Sequence, residues 1–293
     1  MRPSISVVIP CFNHARFLAE AVGSALGQTR PAVEVIVVDD GSTDDSARVL
    51  AAWAGRVRVV RQGNRGVAAA RNAGAALATG DLLAFLDADD VWLPEKLAEQ
   101  AALFAASPSL GLVHCGVEDI DAEGRALRTR LDGLDGRVAE EMLLFRRPAI
   151  LGGGSGAVVT RALFEQVGGF DEALATSADW DLHHRVARRA PVGFVPRVLL
   201  RYRVHGANMH ADVARTAREM QAAYAKAFAE DERLRPLRRR AYGGLHAMLS
   251  GSYQAQGRLL PAVRHGLRAL AYDPSRIGRF LGYPLRRLQR SPS

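Results

Sequence analysis

Cysteine is scarce in this chain: Cys11 and Cys115 are the only two among 293 residues. Both stand beside apolar, strand-like stretches, which excludes a disulfide-stapled scaffold and makes a reducing cytoplasm the expected setting. Lysine is nearly absent as well, with only Lys96 and Lys226 among 39 basic residues. Long apolar runs are missing. Nothing approaches the ~18–20 residues that a membrane span requires, and MRPSISVVIP has too short an apolar stretch for a secretory leader. Two nucleotide-binding signatures are also absent: no G-x-G-x-x-G follows the first strand-like segment, and no G-x-x-x-x-G-K-[ST] occurs.

What is present is an ordinary globular composition, 48% apolar and 24% charged, long enough to bury a sizeable core. The net charge of +8 is unevenly divided. Residues 1–205 hold 23 basic and 25 acidic side chains, whereas residues 206–293 hold 16 and 6. The basic excess therefore lies in the tail, an arrangement that argues against a nucleic-acid binder, whose charge would run through the fold.

The first hundred residues alternate between β-branched runs and Ala-rich helical stretches. ISVVIP (5–10), VEVIVVDD (33–40), RVRVV (56–60) and LLAFL (82–86) read as strands. Between and after them, 15–26, 67–78 and 94–106 carry helical spacing, and a further helix follows Ser42 or Thr43 as its cap. This alternation predicts βαβ units and a parallel sheet covered on both faces. Ligands of such sheets bind beyond the carboxyl ends of the strands, here Pro10–Asn13, Asp39–Ser42 and Asp87–Asp90. Further on, 152–172 reads as a Gly-rich loop, a strand and a short helix, 178–190 as a helix, and 192–205 as one or two strands. From about 208 onward the chain reads as helical and Arg-rich, with RLLPAVRHGLRAL strongly amphipathic.

Within the rim, Asp87, Asp89 and Asp90 follow directly on an apolar strand. Two carboxylates about 4 Å apart repel by roughly 4 kcal/mol at an effective dielectric near 20, so a cation, a hydrogen-bonded turn or water must compensate them.

Seven ordered motifs bear on that choice: VVIPCFN (7–13), EVIVVDDGSTDDS (34–46), NRGVAAARNAG (64–74), LLAFLDADDVWLPEKL (82–97), GGFDE (168–172), DWDLHHRVA (179–187) and YRVHGANMH (202–210). Together they resemble the family 2 glycosyltransferases of GT-A fold over residues 4 to 205. The resemblance implies an α/β GT-A domain with a Rossmann-like, mostly parallel sheet flanked by helices. It implies a nucleotide-sugar-binding half over 1–110 and an acceptor-binding half over 111–207, with a basic helical extension over 208–293.

The resemblance also implies roles. Asp89 would ligate a divalent cation, Mn²⁺ or Mg²⁺, with Asp87 and His205 completing the site and Asp87 also near the ribose. Hard cations favour such carboxylates together with substrate phosphates. Asp40 would read the nucleobase, with Pro10, Phe12 and Asn13 walling its pocket. Ala88, between the two acids, would line the donor site. Arg71 and Asn72 would face the nucleotide or brace the acidic loop. Asp179 would be the general base of an inverting transfer, and Trp180 would pack on the acceptor. The usual acid before that aspartate is replaced by Ala178. Asp39 reads as either a strand-end organiser or plain turn chemistry, and Asp181 as a first-turn acid favoured by the helix dipole. His183 and His184, adjacent on a helix, point apart and are no metal pair. Gly152–Gly156 is either an acceptor loop or a plain one.

The implied partners are a UDP- or dTDP-sugar donor and a glycan or lipid-linked acceptor, with no nucleic acid. Thirteen arginines between Arg233 and Arg290, interleaved with apolar residues, suggest a tail on an anionic membrane at the inner face of the cell. A solvated helical subdomain is the alternative. A nucleotidyltransferase would need a Gly-rich, basic loop after the first strand, which PCFNHARF is not. The remaining rival is a non-catalytic binder on the same fold.

Overall fold

The computed structural model of the protein describes residues 3–206 and 212–276. The end of the YRVHGANMH motif (207–210) and the arginines from 279 onward lie outside the described residues. The chain divides into two compact units, Met1–Ala139 with Pro148–Ala211 and Glu140–Arg147 with Asp212–Ser293.

The first unit opens as the alternation predicts. Strand β1 (Ile5–Cys11) leads to helix α1 (Ala15–Leu26), β2 (Glu34–Asp39) to α2 (Ser46–Ala51), and β3 (Arg58–Arg61) to α3 (Val67–Leu77). Next come β4 (Leu82–Phe85), the two-residue β5 (Val91–Trp92) and α4 (Lys96–Ala106). The later part holds β6 (Leu112–Ile120), β7 (Ala126–Arg130), the single turn α6 (Gly153–Gly156), β8 (Val158–Thr160), α7 (Arg161–Gln166), α8 (Ala178–Ala187) and β9 (Val192–Arg203), while α5 (Ala139–Leu144), between β7 and α6 in the chain, falls almost wholly in the second unit.

One sheet runs in the order β3-β2-β1-β4-β8-β6-β9-β5, with β7 beside β6. The pairs among β3, β2, β1 and β4 are parallel, as crossovers through helices require. Beyond β4 the sheet is mixed: β8 runs antiparallel to β4 and β6, β5 antiparallel to β9, and β9 parallel to β6. The expectation of a mostly parallel sheet therefore describes its first half. Of the stretch 192–205, Val192–Arg203 forms one strand, broken in register where Val195 pairs with Cys115 and Val198 with Gly116. Pro196 sits in that interruption, where its missing N–H costs no ladder bond. The core of this unit fills the space between the sheet and its helices with Val7, Ile9, Leu18, Val37, Leu86, Leu97, Val113 and Leu200 among others. Cys11 and Cys115 are both buried and unpaired, consistent with their reading as core residues.

The second unit is helical, made of α9 (Val213–Glu230), α10 (Arg238–Ala255) and α11 (Leu259–Tyr272). Asp212 caps α9 by accepting from the Arg215 N–H at 2.9 Å. Residues 140–147 belong with these helices. The Tyr224 hydroxyl donates to Leu143 O at 2.6 Å, and a Cβ on Gly244 would lie 2.3 Å from Leu144 O, so only glycine admits that backbone. Among the described residues no helix is long and apolar enough to cross a membrane.

Candidate active site

Four elements bring their polar ends together. β4 ends in the loop Leu86–Asp90, α3 presents Arg71 from its second turn, α8 begins at Ala178, and β9 ends just before His205. Each segment is placed by burial of its apolar neighbours: Leu83 and Ala84 on β4, Ala68, Ala69 and Ala70 on α3, Leu182 and Val186 on α8, Leu199 and Leu200 on β9. The polar residues are left at the rim by the ends of these elements.

Arg71 joins the two sides of the site. Its side chain is 1% exposed, yet Nη1 donates to Asp179 Oδ1 and Nη2 to Asp87 Oδ1, both at 2.6 Å. The partners stand 108 and 16 residues away in the chain. Burial opposes the charge on Arg71, but Asp179 and Asp87 outweigh it and raise its pKa above the ordinary guanidinium value. Burial pushes the Asp87 carboxyl up, Arg71 pulls it down, and Asp179 and Asp89 push it up again. The Phe170 ring covers the guanidinium, with Cζ 5.1 Å from its centroid. Beside this bridge the turn α6 packs glycine backbone closely against it. A Cβ on Gly154 would lie 2.7 Å from Arg71 Nη2 and 3.1 Å from Asp179 Oδ1.

Asp89 points to a different partner. Its Oδ2 is 2.9 Å from His205 Nε2, with both side chains largely buried. Asp90 is buried; its Oδ1 accepts from the Arg203 N–H at 2.8 Å, and its own N–H donates to Asp87 O at 3.1 Å, closing the turn. Burial first, then Asp89 and Asp87, raise the Asp90 pKa well above the carboxylate range. Two of the sequence alternatives for compensating the acids are thus realised within the protein, a cationic side chain for Asp87 and a hydrogen-bonded turn. Asp89 with His205 forms a two-donor corner of carboxylate oxygen and imidazole nitrogen, a set that fits Mn²⁺ or Mg²⁺ when substrate oxygens supply the remaining ligands. Among the described residues no group of three or more His, Cys, Asp or Glu stands ready to hold an ion alone.

The other rim residues are arranged as follows. Pro10 is buried in β1 opposite Val38, Phe12 is exposed, and Ala88 is buried. Asn13 adopts φ +57°, a left-handed conformation that asparagine tolerates, and its Oδ1 accepts from Thr43 N at 2.8 Å. It therefore clasps the loop after β1 to the loop after β2. Asp40 is buried, its Oδ1 accepting from Gln62 Nε2 and Arg65 N and its Oδ2 from Gly66 N, at 2.7 to 2.9 Å. Asp39 Oδ1 accepts from Ser42 N at 2.8 Å, the strand-end organisation considered for it. Asn72 pairs with both backbone groups of Phe170 at 2.9 Å, tying α3 to the GGFDE segment. Trp180 stacks on His184 at 5.1 Å and 6°. Asp181 is buried against Arg185, whose guanidinium also donates to Val167 O and Gly169 O. A helix-dipole acid is thus too slight a reading of Asp181, which anchors a buried ion pair.

Sequence reading missed two residues that shape the site. Arg203, 2% exposed, donates from Nε to Asp89 O and from Nη2 to Glu20, and lies over the Phe17 ring. Ser155 accepts the Asp87 N–H on its Oγ at 3.0 Å and the Trp92 Nε1–H on its carbonyl at 2.8 Å. Their sole sequence signal was membership of short polar motifs; the partners are 63 to 183 residues distant.

The model for "Glycosyl transferase family 2" matches residues 6–168. An uncharacterised glycosyltransferase of Nostoc sp. (strain PCC 7120) is 34% identical over 226 residues, 74% of this chain and 70% of its own. Several further relatives are matched over about a third to two thirds of their own length. Among solved structures, the mannosyltransferase PcManGT of Pyrobaculum calidifontis, in complex with GDP-Man and Mn²⁺, has a TM-score of 0.64 and 25% identity, covering 97% of this chain and 81% of that one. S. aureus TarS in complex with UDP-GlcNAc has a TM-score of 0.63 at 16% identity, covering 94% and 92%. That likeness is one of fold. With the GT-A sheet, the ordered motifs and these matches together, the chain belongs to glycosyl transferase family 2, a family of glycosyltransferases.

Proposed function

We propose that this chain transfers a sugar from a nucleoside-diphosphate donor, with UDP- or dTDP-sugars favoured, to a hydroxyl of a glycan or lipid-linked acceptor, with inversion. The observation that carries the reading is the Arg71 bridge, in which Asp87, read as a donor-side acid, and Asp179, read as the acceptor-side base, share one buried cation. Ion-paired to that cation, Asp179 is held in one orientation, as a general base needs. It takes the proton of the acceptor hydroxyl as that oxygen attacks the anomeric carbon and the bond to the diphosphate breaks. Glycine at 153–154 lets the backbone of the turn pack directly against both groups, where a Cβ on Gly154 would lie 2.7 Å from Arg71 Nη2 and 3.1 Å from Asp179 Oδ1. Trp180 offers an aromatic face next to the base.

Asp89 and His205 would hold a divalent cation, with Asp87 beside them; bound with the donor, the ion offsets diphosphate charge and eases departure of the nucleoside diphosphate. PcManGT in complex with GDP-Man and Mn²⁺ supports this dependence. Asp40 already accepts three hydrogen bonds from residues 62–66, so it reads a base through its last acceptor position or by release of that loop.

Titration calorimetry of UDP, dTDP, GDP and ADP with and without Mn²⁺ tests the reading. One nucleotide should bind in a cation-dependent way, and Asp89→Asn should weaken it at least about tenfold, the usual scale for a lost ligand or its support. Absence of binding under every condition would remove the donor site and leave a non-catalytic binder on this fold.

A further inference from the structure

The helix α11 turns its bulk the wrong way for a globular helix. Its inward face carries Ala262, His265, Gly266 and Ala269, while Leu259, Leu260, Val263 and Leu267 are between 60% and 82% exposed. Leu260, Val263 and Leu267 follow at spacings of three and four, so they form one stripe rather than scattered exposures. A helix apolar on its inner and outer faces alike normally has a second surface to bury it.

Charge says what that surface is. From Arg238 to Tyr272 the sequence holds six arginines and no acidic residue. Arg264 and Arg268 run along the edge of the leucine stripe, both exposed and without a carboxylate partner among the described residues. Arg239 Nη2 reaches Ala271 O at 3.4 Å, which places a third guanidinium at the C-terminal end of α11. Apolar stripe and uncompensated cations thus share one stretch of surface.

We infer that this face of α11 docks flat on an anionic lipid bilayer, with Leu260, Val263 and Leu267 entering the acyl boundary and Arg264 and Arg268 meeting lipid phosphates. A helix of this kind lies in the headgroup region without spanning it, its apolar face and its cations acting together. A second copy of the chain suits the face poorly, because two acid-free arginine surfaces would meet. A nucleic acid would match the arginines and leave the leucines in water. Docking does not depend on the transfer chemistry, and its failure leaves the donor-site reading untouched.

The experiment is flotation of the full chain with phosphatidylcholine vesicles, with and without phosphatidylglycerol. Wild type should float with the anionic vesicles only, and less so at high salt. Leu260→Glu with Leu267→Glu should abolish flotation. Arg264→Gln with Arg268→Gln should weaken it about 25-fold, at about fivefold for each arginine near an anionic surface. Circular dichroism should match wild type for both, since every altered side chain is exposed. As a measurement free of any loss of fold, Leu260→Trp should gain emission that shifts to the blue on anionic vesicles. Equal flotation of wild type and the leucine variant, or no flotation of wild type, overturns the docking. So does a reversible dimer in ultracentrifugation that the leucine variant dissociates, which would assign the face to a second copy.

Discussion

The two units differ in how their charges find partners. In the first unit several pairs at and near the site are long-range: Arg71 with Asp179, Arg203 with Glu20, Arg65 with Glu172 and His205 with Asp89, each more than 100 residues apart. In the second unit the ion pairs seen run between near neighbours, such as Arg215 with Glu219, Arg233 with Asp231 and Arg276 with Asp273. Long-range pairs exist only in the folded state, so they can hold catalytic groups in fixed geometry. Local pairs support a helix turn and contribute a few tenths of a kcal/mol each. The difference teaches where chemistry is built and where only surface is offered.

That contrast can be broken most forcefully at Asp179. Asp179→Asn should lower turnover about 10²- to 10⁴-fold, the usual worth of a general base, while nucleotide binding by calorimetry stays within about twofold. A variant of normal turnover would remove Asp179 from the chemistry. Arg71→Leu comes next. Removing the buried cation leaves two carboxylates uncompensated, and urea denaturation should show a loss of about 3–5 kcal/mol. Asp179→Asn added to Arg71→Leu should recover part of that loss, because one stranded charge is gone.

A smaller effect comes from pH in the second unit. Burial, with His265 and Arg268 adding to it, lowers the His246 pKa to about 4, and burial chiefly lowers that of His265. The two imidazoles meet at 3.0 Å through their Nδ1 atoms, so one donates and the other accepts. A histidine with a folded pKa below its unfolded value of about 6.5 contributes stability that is present above that value and lost as pH falls toward 4. The difference in melting temperature between wild type and His246→Asn should therefore shrink as pH drops from about 6.5 to 4. A constant difference would contradict the neutral pair. Least of all should Arg235→Ala matter: its pair with Glu232 is local and largely exposed, so thermal melts should move by less than about 0.5 kcal/mol.

How much of this was readable beforehand follows the same division. The βαβ alternation of the first hundred residues was legible, because a parallel strand buried on both faces has to be a continuous apolar run. Asp87, Asp89 and Asp179 were legible as motif members, and their association was an expectation. Arg203 and Ser155 were not legible, since an arginine at a strand end or a serine among glycines looks the same whether it braces an acidic loop or meets water. The mixed second half of the sheet was hidden for a related reason: β5 and β8 are two and three residues long, too short to show a period. Residues 140–147 carried no sign that they belong with helices that begin only at Val213.

The amphipathic pattern of α11 was plain in the sequence, but not its direction. Leucines at helical spacing announce an apolar face, and only packing reveals that small residues, with Gly243 on the neighbouring helix beside Ala269, take the inside. By itself, then, the sequence determined the order of strands and helices, the division of charge and the residues available for chemistry. Those depend on periodicity and composition, which are local. The tertiary structure alone decided which carboxylates share Arg71, which aspartate meets His205 and which leucines stay in water. Those are pairings between distant segments, and they are settled only when burial of the core leaves each charge to find an opposite one across the fold.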